Sequence, residues 1–240
     1  SLNAQQFSPS PGLGFVAYPH PHVSMISPSC GPIDGDTSVA VGGTNFLHGT
    51  HYLCSFPPQL QNATASNNQA MACVSPLATN VTRLLPPLFE VTLNGQQYTS
   101  DANAWTYTDV PRVSTIYPTA GVATGGVTIT VSGSGFSSGC DLRCAFSGLQ
   151  IMPASFDASS RQLLCKTPSA THLQSQPYVE EADLVLSSVE ISLNAQQYTK
   201  DLVNHTYFTQ PYVNPVLHDS PATGWKPTRE VSRDALTYGG

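Results

Sequence analysis

The chain has 240 residues, of which 10% are charged, and its 15 acidic against 9 basic side chains give a formal charge of −6. With 18 Gly and 20 Pro helix breakers are too dense for long helices, while 40% hydrophobic residues are enough for a core and argue against wholesale disorder. So few cations exclude nucleic acid as the main partner, and no run of about 18 apolar residues exists to span a membrane.

The predicted elements, taken along the chain, repeat. Leu2-Asn3-Ala4-Gln5-Gln6-Phe7 stands first, and its motif returns as Leu93-Asn94-Gly95-Gln96-Gln97-Tyr98 and Leu193-Asn194-Ala195-Gln196-Gln197-Tyr198. Val23-Ser24-Met25-Ile26-Ser27-Pro28 has a counterpart in Val113-Ser114-Thr115-Ile116-Tyr117-Pro118. The run from Gly35 to Val41 matches Gly125 to Val131, where Val127, Ile129 and Val131 alternate with threonines in the period of a half-buried strand. Phe89, Val91 and Leu93 alternate with Glu90 and Thr92, and Val189, Ile191 and Leu193 repeat that pattern. Cys54-Ser55-Phe56 matches Cys144-Ala145-Phe146, and Cys73-Val74-Ser75-Pro76 matches Cys165-Lys166-Thr167-Pro168. An ordered series of matches means two copies of one all-β domain. Short strands with Gly, Pro and Asn turns in about 90 residues suggest a β-sandwich.

The predicted boundaries are an orphan N-terminal strand and linker (1–20), a first sandwich (21–109), a second (110–209) and a C-terminal extension (210–240). The extension begins like a third domain, with Val213, Val216 and Ser220-Pro221. The second copy is longer by eight residues around Tyr178–Ser187, bringing Glu180, Glu181 and Asp183. That insertion reads as a surface loop; three carboxylates without a glycine-turned ligand loop do not make a calcium cage.

The segments Ile116-Tyr117-Pro118, Gly121, Gly125-Gly126 and Gly133-Ser134-Gly135-Phe136 resemble the IPT/TIG family of immunoglobulin-like sandwiches. The first copy departs from the pattern with Asp36 for the second Gly and Asn45-Phe46 for Gly-Phe. The Cys-x-Phe and Cys-x-Thr/Ser-Pro pairs resemble extracellular, disulfide-bearing members of the kind found in plexins and fibrocystin-like surface proteins. The resemblance implies two tandem sandwiches with extended terminal strands. It leaves function open, because one fold hosts many roles.

The repeat sorts the six cysteines. Cys54 with Cys73, and Cys144 with Cys165, are equivalent pairs and predict one disulfide per domain, each closing a loop near 20 residues worth about 3 kcal/mol. Buried thiols or a metal site are the alternatives; neither Cys-x-x-Cys nor Cys/His ligand spacing occurs. Cys30 and Cys140 have no counterparts. Sandwich topology brings both to the poles that face each other in tandem domains, which predicts a Cys30–Cys140 bridge across the junction, with a bond to another chain as the competitor. Disulfides imply an oxidising compartment. The sequons at Asn62, Asn80 and Asn204 agree with an extracellular or cell-surface glycoprotein. No signal peptide opens the chain, so secretion implies a processed form or an excerpt.

Chemistry finds little support. Gly135-Phe136-Ser137-Ser138-Gly139 fits a nucleophile elbow, but that motif needs a helix after it. His20-Pro21-His22 and His48-x-x-His51 lack a helix to gather them as metal ligands. Trp105, Tyr107, Tyr207 and Phe208 could stack on sugars, although recurrence in both copies points to packing. The expectation is therefore no enzyme, no cofactor and no metal. The first reading is a structural subunit of an extracellular glycoprotein fibre or surface matrix. Its partners would be attached glycans and copies of itself, joined head-to-tail by strand addition through Leu2, Asn3, Ala4, Gln5, Gln6 and Phe7. The alternative is an adhesion or receptor ectodomain binding a protein or glycan. A third is an accessory domain pair of a carbohydrate-active enzyme.

Overall fold

The computed structural model of the chain describes residues 5, 14, 16–80, 87–172 and 184–209. Period-two alternation forms its strands as the sequence predicts: in β3 (Ser38–Thr44) Val39 and Val41 are buried, and in β12 (Thr128–Ser134) Ile129 and Val131 are buried. The first sandwich also contains β1 (His22–Ser27), β2 (Cys30–Pro32), β4 (Leu53–Phe56), β5 (Gln59–Asn67), β6 (Ala70–Val74), β7 (Leu88–Thr92), β8 (Asn103–Ala104) and β9 (Thr106–Thr108). The second contains β10 (Arg112–Tyr117), β11 (Ala120–Val122), β13 (Arg143–Phe146), β14 (Gln150–Asp157), β15 (Gln162–Lys166), β16 (Leu184–Ser192) and β17 (Val203–Phe208). A 3-10 turn spans Ala170–His172.

Each sandwich is built on one large hydrogen-bonded sheet folded over on itself, and the first adds a separate two-stranded sheet of β2 and β9. In the first the order is β1-β3-β6-β5-β4-β7-β8, and in the second β10-β12-β15-β14-β13-β16-β17-β11. The fold occurs within one strand. Residues 59–62 of β5 pair with β4, and residues 63–67 pair with β6. In β14 the partner changes from β13 to β15 between Pro153 and Ala154. Short β2 and β11 run parallel to β9 and β17 and close the seam. Between the layers of the first sandwich lie Phe46, Phe56, Phe89 and Trp105, all fully buried; Phe136, Phe146, Ile129, Ile191 and Tyr207 fill the second. Each such side chain contributes about 1.5–3 kcal/mol by leaving water. A disulfide links the layers in each: Cys54 of β4 to Cys73 of β6, and Cys144 of β13 to Cys165 of β15.

The departures of the first copy from the family pattern have a backbone reason. Gly126 and Gly135 sit at φ +80° and +72°, and their counterparts Asp36 and Asn45 sit at +62° and +64°. Asp and Asn are the side-chain-bearing residues that best tolerate this left-handed region.

Two expectations change. Part of the insertion read as loop, Leu184–Ser187, is strand: it pairs with Phe208 through His205 and lengthens β16 to nine residues against five in β7. Continuous β17 offers main-chain groups over this length, and pairing satisfies them. In the first copy Pro87 has no N–H to donate, and the corresponding edge divides at Trp105 into β8 and β9. Glu180, Glu181 and Asp183, and the C-terminal extension 210–240, lie outside the described residues.

The closing motif also changes character. Where it is described it is a turn, not a strand. The Asn194 Oδ1 accepts the N–H groups of Gln196 (3.1 Å) and Gln197 (3.2 Å), and Asn94 does the same for Gln96 (3.0 Å) and Gln97 (3.1 Å). Ala195 and Gly95 take φ +60° and +73°. An Asx turn of this kind folds the chain back, and the motif makes only isolated bridges, such as Asn94 with His51 and Asn194 with Asp141, in place of a ladder. The six residues weighed for strand addition, Leu2 to Phe7, lie outside the described residues except Gln5.

Candidate functional site at the domain junction

The carboxylates that precede the last strand of each sandwich are committed to the fold. Buried Glu190 accepts the Thr199 hydroxyl and the N–H groups of Asp201 (3.1 Å) and Leu202 (2.7 Å). Glu90 does likewise for Thr99, Asp101 and Ala102. Asp201 then accepts the Val113 N–H at 2.6 Å and faces Arg112, as Asp101 accepts the Val23 N–H at 2.6 Å and faces His22. Thus His22, weighed as a metal ligand, is a carboxylate partner. Among the described residues no three His, Cys, Asp or Glu gather as ligands.

Beyond these frameworks, the second copy's turn reaches across the junction to the first sandwich. Asn194 is 4% exposed. Its amide donates to Gln197 Oε1 (2.6 Å), to the Cys30 carbonyl (3.4 Å) and to Thr37 Oγ1 (3.4 Å). The fully buried Thr37 hydroxyl donates to Gln197 Oε1 at 3.3 Å. The Gln197 amide donates to the Asp36 carbonyl at 2.8 Å. Gln196 reads one residue with both ends of its amide: Ser38 N–H donates to Oε1 (3.0 Å) and Nε2 donates to the Ser38 carbonyl (2.8 Å). The dock therefore recognises main-chain groups at the start of β3, where an edge would otherwise be open.

Beside it Cys30 and Cys140 are bonded, with Cα atoms 5.8 Å apart. Cys30 is buried in β2, and Cys140 is held where its N–H donates to the Leu193 carbonyl at 2.9 Å. All six cysteines are paired. A cleft of about 520 Å³ follows this seam, lined by Cys30, Tyr107, Asp109, Arg161 and the run Gly135–Cys140. The elbow-like Gly-x-Ser-x-Gly segment thus forms a junction wall, and the next element after it is β13, a strand.

The aromatic reading needs a corrected register. Trp105 corresponds to His205, and Tyr107 to Tyr207; the paired rings meet edge to face at 5.9 and 4.9 Å. Trp105, His205 and Tyr207 are buried, so they pack and are not available to stack on a sugar. Burial pushes the Tyr107 and Tyr207 hydroxyls up to about 12 and holds His205 below its ordinary value. At the C-terminal end of β14, hydrogen bonds from Ser159 and Ser160 bring half-buried Asp157 down to about 2. Asn62, Asn80 and Asn204 are all exposed.

The residues sequence reading missed are Asp36, Thr37 and Ser38, which carry no chemical signature because the dock uses mainly their backbone. The available signal was the amide motif itself. Polar Asn-x-Gln-Gln recurs more faithfully than the core strands around it.

A family model described as IPT/TIG domain matches residues 21–107 and 111–207. Human Plexin-A3 is 25% identical over 207 residues, 82% of this chain and 10% of its own length. Rat Plexin-A3 is 23% identical over 205 residues with the same shares. The chain thus spans about a tenth of the curated relatives it matches. Among solved structures, the Plexin A4 full extracellular region aligns at a TM-score of 0.47 and 16% identity, over 83% of this chain and 16% of that one.

Proposed function

The chain belongs to the IPT/TIG family, and from that premise we propose that it is part of a receptor or adhesion ectodomain that holds its sandwiches in fixed relation and presents them to a protein partner. It is extracellular or cell-surface, as three disulfides and the similarity to Plexin-A3 indicate. The observation that carries the reading is the junction, where a disulfide and a main-chain-reading amide dock act together. Two loosely tethered binding modules would not need both, because a short linker alone keeps them close. The role is one of binding and spacing, without catalysis. We assign exposed Asn62, Asn80 and Asn204 as N-glycan acceptors that keep those faces hydrated. The fibre-subunit expectation gives way to this reading: similarity to plexins supports a receptor segment, and nothing in the comparisons supports self-assembly.

Unreduced, glycosylated protein tests the proposal. Across a concentration series it should sediment as a monomer and bind cells saturably, with binding lost when surface proteins are removed by protease. Filaments that lengthen with concentration, without saturable cell binding, would restore the fibre reading.

A further inference from the structure

The amide dock is present twice, but only one copy is seated on a described domain. Asn94, Gln96 and Gln97 repeat Asn194, Gln196 and Gln197 down to the internal bonds. Asn94 Nδ2 donates to Gln97 Oε1 at 2.5 Å, as Asn194 does to Gln197 at 2.6 Å, and each Asn caps two N–H groups. The first-copy turn is therefore shaped for docking before anything docks. Gln96 and Gln97 are exposed, and the Gln96 side chain makes no hydrogen bond among the described residues.

Beside it lies a second cleft, of about 510 Å³, lined by Val16, Tyr18, His20, His48, Thr50 and Gln97 among others. It matches the junction cleft by register. Val16–Tyr18 occupies the place of Thr106–Thr108, the last strand of the first sandwich, and His48–Thr50 the place of Ser138–Cys140. Upstream, the spacing continues to agree. From Leu2 to Val16 is 14 residues, and from Leu93 to Thr106 is 13. Residues 2–18 thus repeat, position by position with one extra, the stretch that ends a sandwich and leads into the next.

We propose that Asn94, Gln96 and Gln97 form a second amide dock, whose occupant in the natural polypeptide is a preceding IPT/TIG sandwich, the one that residues 2–18 complete. The groups it takes are main-chain: a carbonyl two residues before a strand, as at Asp36, and the N–H and carbonyl of the strand's first residue, as at Ser38. Main-chain recognition explains how the same three amides serve neighbours whose side chains differ. With Thr50 where the described junction has Cys140, this joint has no disulfide from that position and relies on hydrogen bonds. The two joints should differ in their response to reductant.

The test uses the natural polypeptide extended upstream by one whole sandwich, examined by small-angle X-ray scattering. Wild type should give one narrow pair-distance distribution; Gln96→Ala with Gln97→Ala should lose it and extend to longer distances, with reductant making no difference at that joint. An unchanged profile in the variant, or a wild type already as broad, overturns the proposal. Folding is controlled by the thermal transition of the first sandwich in residues 1–240, and Gln96→Ala alone leaves the Asn94–Gln97 bond intact. A concentration-dependent dimer of residues 1–240 that vanishes in Gln96→Ala also overturns it, by assigning the face to a contact between copies.

Discussion

Replacing Asn194 by Ala removes two kinds of contact at once, and Asn94→Ala provides the internal control for one of them. Both substitutions delete an Oδ1 that caps two N–H groups. At about 0.5–1.5 kcal/mol net per bond, with water able to replace the lost acceptor at the more exposed turn, Asn94→Ala should cost about 1–2 kcal/mol. Asn194 also donates to the Cys30 carbonyl and to Thr37 Oγ1 across the junction, both at 3.4 Å. Losing these long bonds costs about 1 kcal/mol, and leaving fully buried Thr37 with one partner fewer adds about 1 kcal/mol more. The two variants should therefore differ by about 2 kcal/mol. For domains near 100 residues, where 1 kcal/mol moves the midpoint by about 4–8 °C, calorimetry should show Asn194→Ala lowering the second sandwich's midpoint from its wild-type value by at least about 8 °C more than Asn94→Ala lowers the first's. Equal shifts would mean that the cross-junction bonds contribute nothing to stability.

Further outcomes follow from the same geometry. His205 is buried with its pKa depressed, so below its ordinary value near 6.5 the unfolded chain takes up a proton that the folded chain does not; stability should fall as pH drops below about 6.5, and a His205→Phe chain with the same acid slope would refute this. Cys140 is exposed, whereas Cys54, Cys73, Cys144 and Cys165 are all buried, so mild reduction followed by alkylation should label Cys30 and Cys140 first; peptide mapping that finds the four intradomain cysteines labelled earlier would contradict it. A Cβ on Gly133 would lie 1.9 Å from the Arg112 carbonyl oxygen and 2.8 Å from the Phe136 ring. Gly133→Ala should destabilise the second sandwich by about 3 kcal/mol, and urea midpoints equal to wild type would show that β10 and β12 can separate without cost.

Strand alternation at Val127–Val131 and Val189–Leu193 was legible because a sheet with one buried face enforces period two residue by residue. The Asp36 and Asn45 departures were legible as differences, while their left-handed backbone explains why those residue types stand there. The strand character of Leu184–Ser187 was hidden because it depends on partners in β17, from His205 to Phe208, that lie far along the chain. The turn character of Leu193–Tyr198 was missed for a different reason. An apolar residue followed by polar amides ending in an aromatic also fits a strand, and only the Asn194 side chain bonding its own backbone decides the matter. Recognition by Gln196 of a main-chain N–H and carbonyl leaves no mark on Ser38, so that half of the interface is invisible in any single sequence.

The Cys30–Cys140 bond has a mechanical consequence. Tension entering at β1 and leaving at β17 runs through the sulfur atoms and bypasses the intervening chain, a separation of 110 residues. At about 3.3–3.6 Å per extended residue, some 360–400 Å of contour is shielded from pulling until that bond is cut. A chain so linked carries load past the first sandwich through one covalent bond, and that stretch of contour lengthens only after a thiol reagent has cut it.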